Sequence, residues 1–228
     1  MSKQLIFDLP VRPALGREDF FVSPANAAAL ATVESWDSWP SGKLLVTGTK
    51  GAGKTHLVHV WADLAEARVI KARALEPGAV AALAGKKALA IEDLHEIAGV
   101  AEAEEALFHL HNLALAEGGK LLFTGRGAAK DWGLKLADLK SRMEGTMSVT
   151  LSAPDDALLS AILMKLFSDR QLAVQPSLLP YLLPRMERSF AGAQDLVDAL
   201  DKSALAEGRA VTRALAAKVL DNQGAKSA

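Results

Sequence analysis

The stretch Gly48-Thr49-Lys50-Gly51-Ala52-Gly53-Lys54-Thr55 decides how this chain is read. It fits the phosphate-loop pattern G-x-x-x-x-G-K-[ST] at every specified position, and that pattern states a mechanism. The glycines let backbone N–H groups turn inward around a phosphate. Lys54 reaches the β- and γ-phosphates, and the Thr55 hydroxyl holds Mg²⁺. The flanks have the matching character. Lys43–Thr47 is a short apolar run that predicts a buried strand, and His56–Ala65 reads as a helix whose N-terminus faces the phosphates. Residues 48–55, with His56, are therefore the first candidate contacts of a nucleotide.

Outward from the loop, strands and helices alternate. Further strands are expected at Arg68–Ala72, Ala88–Asp93, Lys120–Thr124 and Ser148–Leu151. A helix starts near Ala25 behind Ser23-Pro24, and another spans Ala101–Glu117 until Gly118-Gly119 stops it. This alternation predicts an α/β fold: a five-stranded, mostly parallel sheet flanked by helices. After Ala153-Pro154 no strand candidate follows. Four amphipathic segments, Asp155–Arg170, Ser177–Arg185, Ala191–Glu207 and Thr212–Leu220, predict a small all-helical domain. The expected organisation is an extended arm over 1–13, broken by Pro10 and Pro13, an α/β nucleotide-binding domain over 14–152, and the helical domain over 153–228.

Composition narrows the function class. With 228 residues the chain can bury a real core. The net charge is −1, from 26 basic and 27 acidic residues, so no global field favours nucleic acid or an anionic membrane. Cysteine is absent, which excludes disulfides and thiolate metal sites. The start of the chain lacks a long apolar core, and no stretch reaches the ~20 apolar residues of a membrane span. No membrane partner and a cytoplasmic location are expected.

Three more constellations carry chemistry. Ala88–Asp93 delivers Glu92 and Asp93 at a strand end, where one carboxylate can sit beside a metal and a second can orient water. Phosphate-loop enzymes commonly place Asp first. Glu92 shifts the metal-side oxygen by about 1 Å, so a binding site is expected more than a vigorous hydrolase. Thr124 ends the strand Lys120–Thr124 and is placed to sense a γ-phosphate. Arg142, in Ala137–Met143, follows shortly after; an arginine at a subunit edge can stabilise a neighbour's phosphoryl charge, a contribution of about 10³–10⁵ in rate. His109 and His111 lie two apart on a helix and do not share a face, so no metal site is expected of them.

In this order the motifs resemble the AAA+ module of the bacterial replication initiator DnaA. The resemblance is carried by Phe21-Val22 before the Asn26 helix, the phosphate loop followed by His56-Leu57, Glu105–His109 with Asn112, Lys120–Thr124, and Leu139–Arg142. It spans Phe20 to Leu220. Lys71–Lys87 is shorter than the insertion that initiators carry there, and the chain stops at Ala228, before a DNA-binding domain would begin. The reduced form is similar to Hda-type regulators. The segment Gln4-Leu5-Ile6-Phe7-Asp8-Leu9-Pro10 is similar to the motif with which those regulators bind the DNA polymerase sliding clamp, with Phe7 at a usually aliphatic position.

The resemblance implies a P-loop AAA+ fold with the helical domain as its lid, ADP or ATP with Mg²⁺ as cofactors, and two partners, the clamp and DnaA. It places Phe21 and Val22 with residues 48–56 against the nucleotide, Thr55 and Glu92 on Mg²⁺, Asp93 and Thr124 in the catalytic set, and Arg142 as an arginine finger acting in trans. Gln4, Leu5, Phe7, Leu9 and Pro10 would contact the clamp. Gln194 stands where the family carries a second-sensor arginine, with Arg188 nearby as a substitute. The chain itself is expected to be at most a slow ATPase without strong direct DNA binding, and a homo-oligomer is left open. The competing reading is a helicase-loader-like ATPase acting on single-stranded DNA.

Overall fold

A computed structural model describes residues 16–227; the arm residues Gln4, Leu5, Phe7, Leu9 and Pro10 lie outside that range. Five parallel strands, β1 (Lys43–Gly48), β2 (Arg68–Lys71), β3 (Ala88–Glu92), β4 (Lys120–Gly125) and β5 (Ser148–Leu151), form one sheet in the order β2-β3-β4-β1-β5. Strands β1 and β3 are buried along their whole length, and β4 nearly so, as expected of central strands covered on both faces. β2 and β5 are the partly exposed edges.

Side chains alternate across the sheet and divide the core. Leu44, Val46, Ala88, Ala90 and Leu122 point to the face covered by α1 (Ala27–Glu34) and α2 (Lys54–Ala65). Leu45, Leu89, Ile91, Leu121 and Phe123 point to the other face, under α3 (Val80–Ala84), α4 (Ala101–Ala116) and α5 (Ala137–Glu144). A separate cluster, including Leu159, Leu163, Phe167, Leu182, Val197, Leu200 and Leu215, joins α6 (Asp156–Asp169), α7 (Leu179–Leu182), α8 (Phe190–Glu207) and α9 (Arg213–Ser227). Asp155 caps α6 by accepting from Leu158 N at 2.8 Å, and Ser189 caps α8 by accepting from Gly192 N at 2.9 Å. Among the described residues no helix is long and apolar enough to cross a membrane.

All five expected strands form, each within a residue or two of its expected bounds. The second C-terminal helix departs from expectation. In place of a helix over Ser177–Arg185 there is a 3₁₀ turn, Pro176–Leu178, and the single turn α7. Leu183 keeps helical torsions, φ −50° and ψ −46°, but Pro184 has no N–H to continue the bonding, so α7 ends at Leu182. The segment between β2 and β3 holds two 3₁₀ turns, Ala72–Ala74 and Pro77–Ala79, and the five-residue α3. Helix α5, which carries Arg142, was not foreseen from the sequence.

Candidate nucleotide-binding site

Strand β1 delivers the loop, and α2 starts where the loop ends. Gly53 precedes α2 in a left-handed conformation and contributes no capping side chain, so the first N–H groups of α2 have no side-chain acceptor there. Those N–H groups and the positive end of the helix dipole suit a phosphate. Gly51 and Gly53 have φ of +74° and +98°. A Cβ on Gly51 would lie 2.3 Å from Ser189 Cβ, and one on Gly53 would lie 2.9 Å from the Phe190 ring. The loop therefore needs glycine twice over: for its torsions, and because the first turn of α8 lies directly on it. Phe190 N donates to Gly51 O at 3.1 Å.

The Lys54 ammonium is buried and donates to Gly48 O and Thr49 O, each at 2.8 Å. Burial pulls its pKa down; the charges of Asp93 and Glu92 oppose that, while Arg126 and Lys71 add to it. An anion in the loop can replace those carbonyl acceptors with charged oxygens and favour the charged form. Next to it, Thr55 Oγ1 donates to Glu92 Oε1 at 2.7 Å. The sheet order explains the meeting: β3 and β1 flank β4, so the ends of all three converge. Glu92 is buried, and Asp93 sits just beyond it at φ +61°, an uncommon torsion for a non-glycine residue. Asp93 N donates to Thr124 Oγ1 at 3.0 Å, and Thr124 is fully buried.

These donors fit Mg²⁺ and nucleotide. Thr55 and Glu92 offer two hard oxygens in contact, the kind of partial shell that Mg²⁺ completes with phosphate and water. Among the described residues no group of three or more His, Asp or Glu could hold a metal without such help.

Sequence reasoning missed Lys71. It closes the site from β2, with its ammonium 3.2 Å from Glu92 Oε2 and 2.8 Å from Asp93 Oδ2. The register of β2 on β3 pairs Lys71 with Glu92, and a lysine ending a strand beside two acids was the available signal. Burial works against both charges, yet the Lys71–Asp93 hydrogen bond and the mutual attraction prevail: the Lys71 pKa is raised and that of Asp93 lowered. Asp93 is thus held ionised, and a fixed cation lies against both acids.

Beside the start of α2, Phe20 rather than Phe21 meets His56, edge to face with centroids 5.0 Å apart, and Phe190 approaches the same imidazole at 6.5 Å. Phe21 packs on the C-terminal helical cluster, and Val22 is exposed. Asn26 fixes this segment by donating to Phe21 O at 2.8 Å and accepting from Ser23 N at 2.9 Å. His56 contacts Gly16 O at 3.2 Å; burial first of all lowers its pKa. Arg188 is engaged away from the loop, donating to Asp156 Oδ1 at 2.5 Å and Pro154 O at 3.0 Å. Gln194 is half-buried in α8 and makes no side-chain hydrogen bond among the described residues.

Arg142 is exposed on the last turn of α5, and its guanidinium makes no hydrogen bond or ion pair among the described residues. His111 is buried and stacked on Phe123, while His109 is exposed, so of the two only His111 is a core residue.

No protein-family model matches the chain. Its sequence is 28% identical over 221 residues to the chromosomal replication initiator protein DnaA of Caulobacter sp. (strain K31), covering 86% of this chain and 45% of that protein. Its fold matches domain III of the Thermotoga maritima replication initiation protein DnaA with a TM-score of 0.79, at 19% identity, over 94% of this chain and 98% of that one. The chain is thus similar in sequence to DnaA and shares the fold of DnaA domain III. A second DnaA structure, bound to AMPPCP and from Aquifex aeolicus, aligns with a TM-score of 0.67 at 17% identity, over 80% of this chain and 63% of that one. The chain spans about half the length of the curated DnaA relatives it matches. Within this AAA+ fold the phosphate loop, the Glu92–Asp93 strand end and Thr124 form one continuous site, and Arg142 stands on a separate helix.

Proposed function

We propose that this chain is an adenine-nucleotide-binding AAA+ regulator of chromosome replication initiation. It binds the DNA polymerase sliding clamp through Gln4, Leu5, Phe7, Leu9 and Pro10, and it promotes hydrolysis of initiator-bound ATP through Arg142 acting in trans. The observation that carries this reading is the division of labour between two sets of side chains. The chain's own site holds Glu92 and Asp93 against Lys71, so both carboxylates are tied up in an ion pair. Among the described residues Arg142 has no such partner, and it presents its guanidinium to solvent from a short, anchored helix.

The nucleotide then works as a clasp more than as a fuel. Lys54 and the N–H groups at the start of α2 bind the phosphates; Thr55 and Glu92 would hold Mg²⁺, which when bound neutralises phosphate charge. Asp93 positions water only weakly while Lys71 holds it. ADP is the expected resident ligand, retained with little turnover. The AMPPCP-bound DnaA structure supports an adenine nucleotide as the ligand class.

A pull-down of the full chain with clamp and ATP-bound initiator, in ADP and in ATP, tests the reading. Capture of both partners in the ADP form is expected. Strong, salt-sensitive binding to single-stranded DNA with no clamp capture would point to a loader-type ATPase instead.

A further inference from the structure

Helix α5 is gripped at both ends by residues that play no part in the nucleotide site. At its entry, the buried carboxylate of Glu104 on α4 accepts from Lys135 N at 2.9 Å and Leu136 N at 2.7 Å, and from Gly99 N at 2.7 Å. At its exit, the carbonyl of Arg142 accepts from Thr146 Oγ1 at 2.7 Å and from the Lys43 ammonium at 3.3 Å. The same ammonium lies 3.1 Å from His111 Nε2, and His111 Nδ1 lies 3.0 Å from Asn112 Oδ1. One tautomer satisfies the whole chain: Nδ1–H donates to Asn112, and the Nε2 lone pair accepts from Lys43.

Lys43 is an unusual residue for this place. It is only 8% exposed, and no carboxylate pairs with it among the described residues. Burying an ammonium without a counter-ion is costly. Both of its partners are neutral, and one is the main chain of Arg142 itself, at the negative end of a helix dipole. Lys43 also starts β1, the strand that ends in the phosphate loop at Gly48, about 17 Å away along the strand. One rigid, buried strand therefore touches the nucleotide loop at one end and the backbone of Arg142 at the other.

We infer that Lys43 is a positioning residue for Arg142: with His111 and Thr146 it fixes the last turn of α5, tying the trans-acting guanidinium to the strand that carries the chain's own nucleotide loop. This inference rests on the proposed role of Arg142 and adds what holds that arginine in place.

The test uses the full chain with Lys43→Met, Lys43→Arg and Arg142→Ala. Stimulated ATP hydrolysis by an ATP-bound DnaA-type initiator is titrated with each, in the presence of clamp. Lys43→Met is expected to lower the maximal stimulated rate by on the order of 10- to 100-fold, the scale of an ångström-level misplacement. The concentration for half-maximal stimulation and the affinity for ADP should not move. Lys43→Arg should restore most of the rate. Amide exchange of residues 142–146 should rise about tenfold or more in Lys43→Met. Unchanged exchange overturns the tie whatever the partner does. If Arg142→Ala abolishes stimulation while Lys43→Met behaves as wild type, the tie is wrong and the arginine's role stands. If Arg142→Ala stimulates fully, the proposed function fails, and the exchange data still decide the tie. Should Lys43→Met not fold, His111→Phe keeps the ring stacked on Phe123, removes the acceptor of Lys43, and reads the same two quantities.

Discussion

Two buried lysines sit at opposite ends of β1 and do different work. Lys54, just past the loop at one end, donates to two loop carbonyls and lies in the field of Glu92 and Asp93. Lys43, at the other end, donates to a histidine and to the carbonyl of Arg142, and feels the charge of Arg142 against it. Burial lowers both pKa values first of all. The difference lies in their acceptors. Those of Lys54 belong to a loop that an anion can enter, so that ammonium is poised to change partners. Those of Lys43 belong to packed core, so its bonds are permanent and serve to hold a helix. A buried cation is thus a ligand site in one place and a fastening in the other, and the neighbours decide which.

The largest effect that separates the two ends is on ligand binding. Lys54→Ala removes a charge-assisted bond to phosphate, about 1.5–3 kcal/mol, so ADP affinity measured by calorimetry should fall about 10- to 100-fold. Lys43→Met should leave that affinity alone; an equal loss in both variants would erase the distinction. Gly51→Ala comes next. It places a Cβ 2.3 Å from Ser189 Cβ at φ +74° and should cost about 2 kcal/mol, lowering Tm by about 4–8 °C. An unchanged Tm would mean that α8 does not rest on the loop.

A smaller effect is expected with pH. Burial, and then the charges of Lys43 and Arg142, depress the His111 pKa below 6.5 despite its bond to Asn112. The unfolded chain then binds more protons than the folded one as pH falls below about 6.5, so stability drops in that direction. His111→Phe should flatten part of this slope in denaturant titrations, while the part due to His56 and His95, depressed likewise by burial, remains. A slope unaltered by that substitution would remove His111 from the buried network. The smallest effect belongs to Arg188→Ala. Its pairing with Asp156 is between exposed groups and should be worth no more than about 1 kcal/mol. ADP affinity should hold; a clear loss would make Arg188 a phosphate sensor after all.

Much of this architecture was legible from sequence because it follows short-range rules. The runs at Lys43–Thr47 and Ala88–Asp93 read as central strands because both faces are covered, and the loop between strand and helix carries its own chemistry. The missed features share a physical cause. Lys71 acts through strand register, which one strand's sequence does not encode. Lys43 reaches partners 68 and 99 positions away, and at the start of an apolar run it reads as an ordinary solvated lysine. Helix α5 is short and largely polar, with its N-terminal hold supplied by Glu104 from another helix, so local propensity barely marks it. The choice of Phe20 over Phe21 toward His56 depended on the path of a turn that Asn26 fixes through the main chain.

In the proposed function Arg142 acts on another protein's nucleotide while the chain's own site holds its ligand. The direct measurement is the rate of ATP hydrolysis by clamp-associated initiator with wild-type chain and with Arg142→Ala. The variant is expected to bind ADP and clamp as wild type does and to lose stimulation by about 10³ or more. Full stimulation by Arg142→Ala would contradict it.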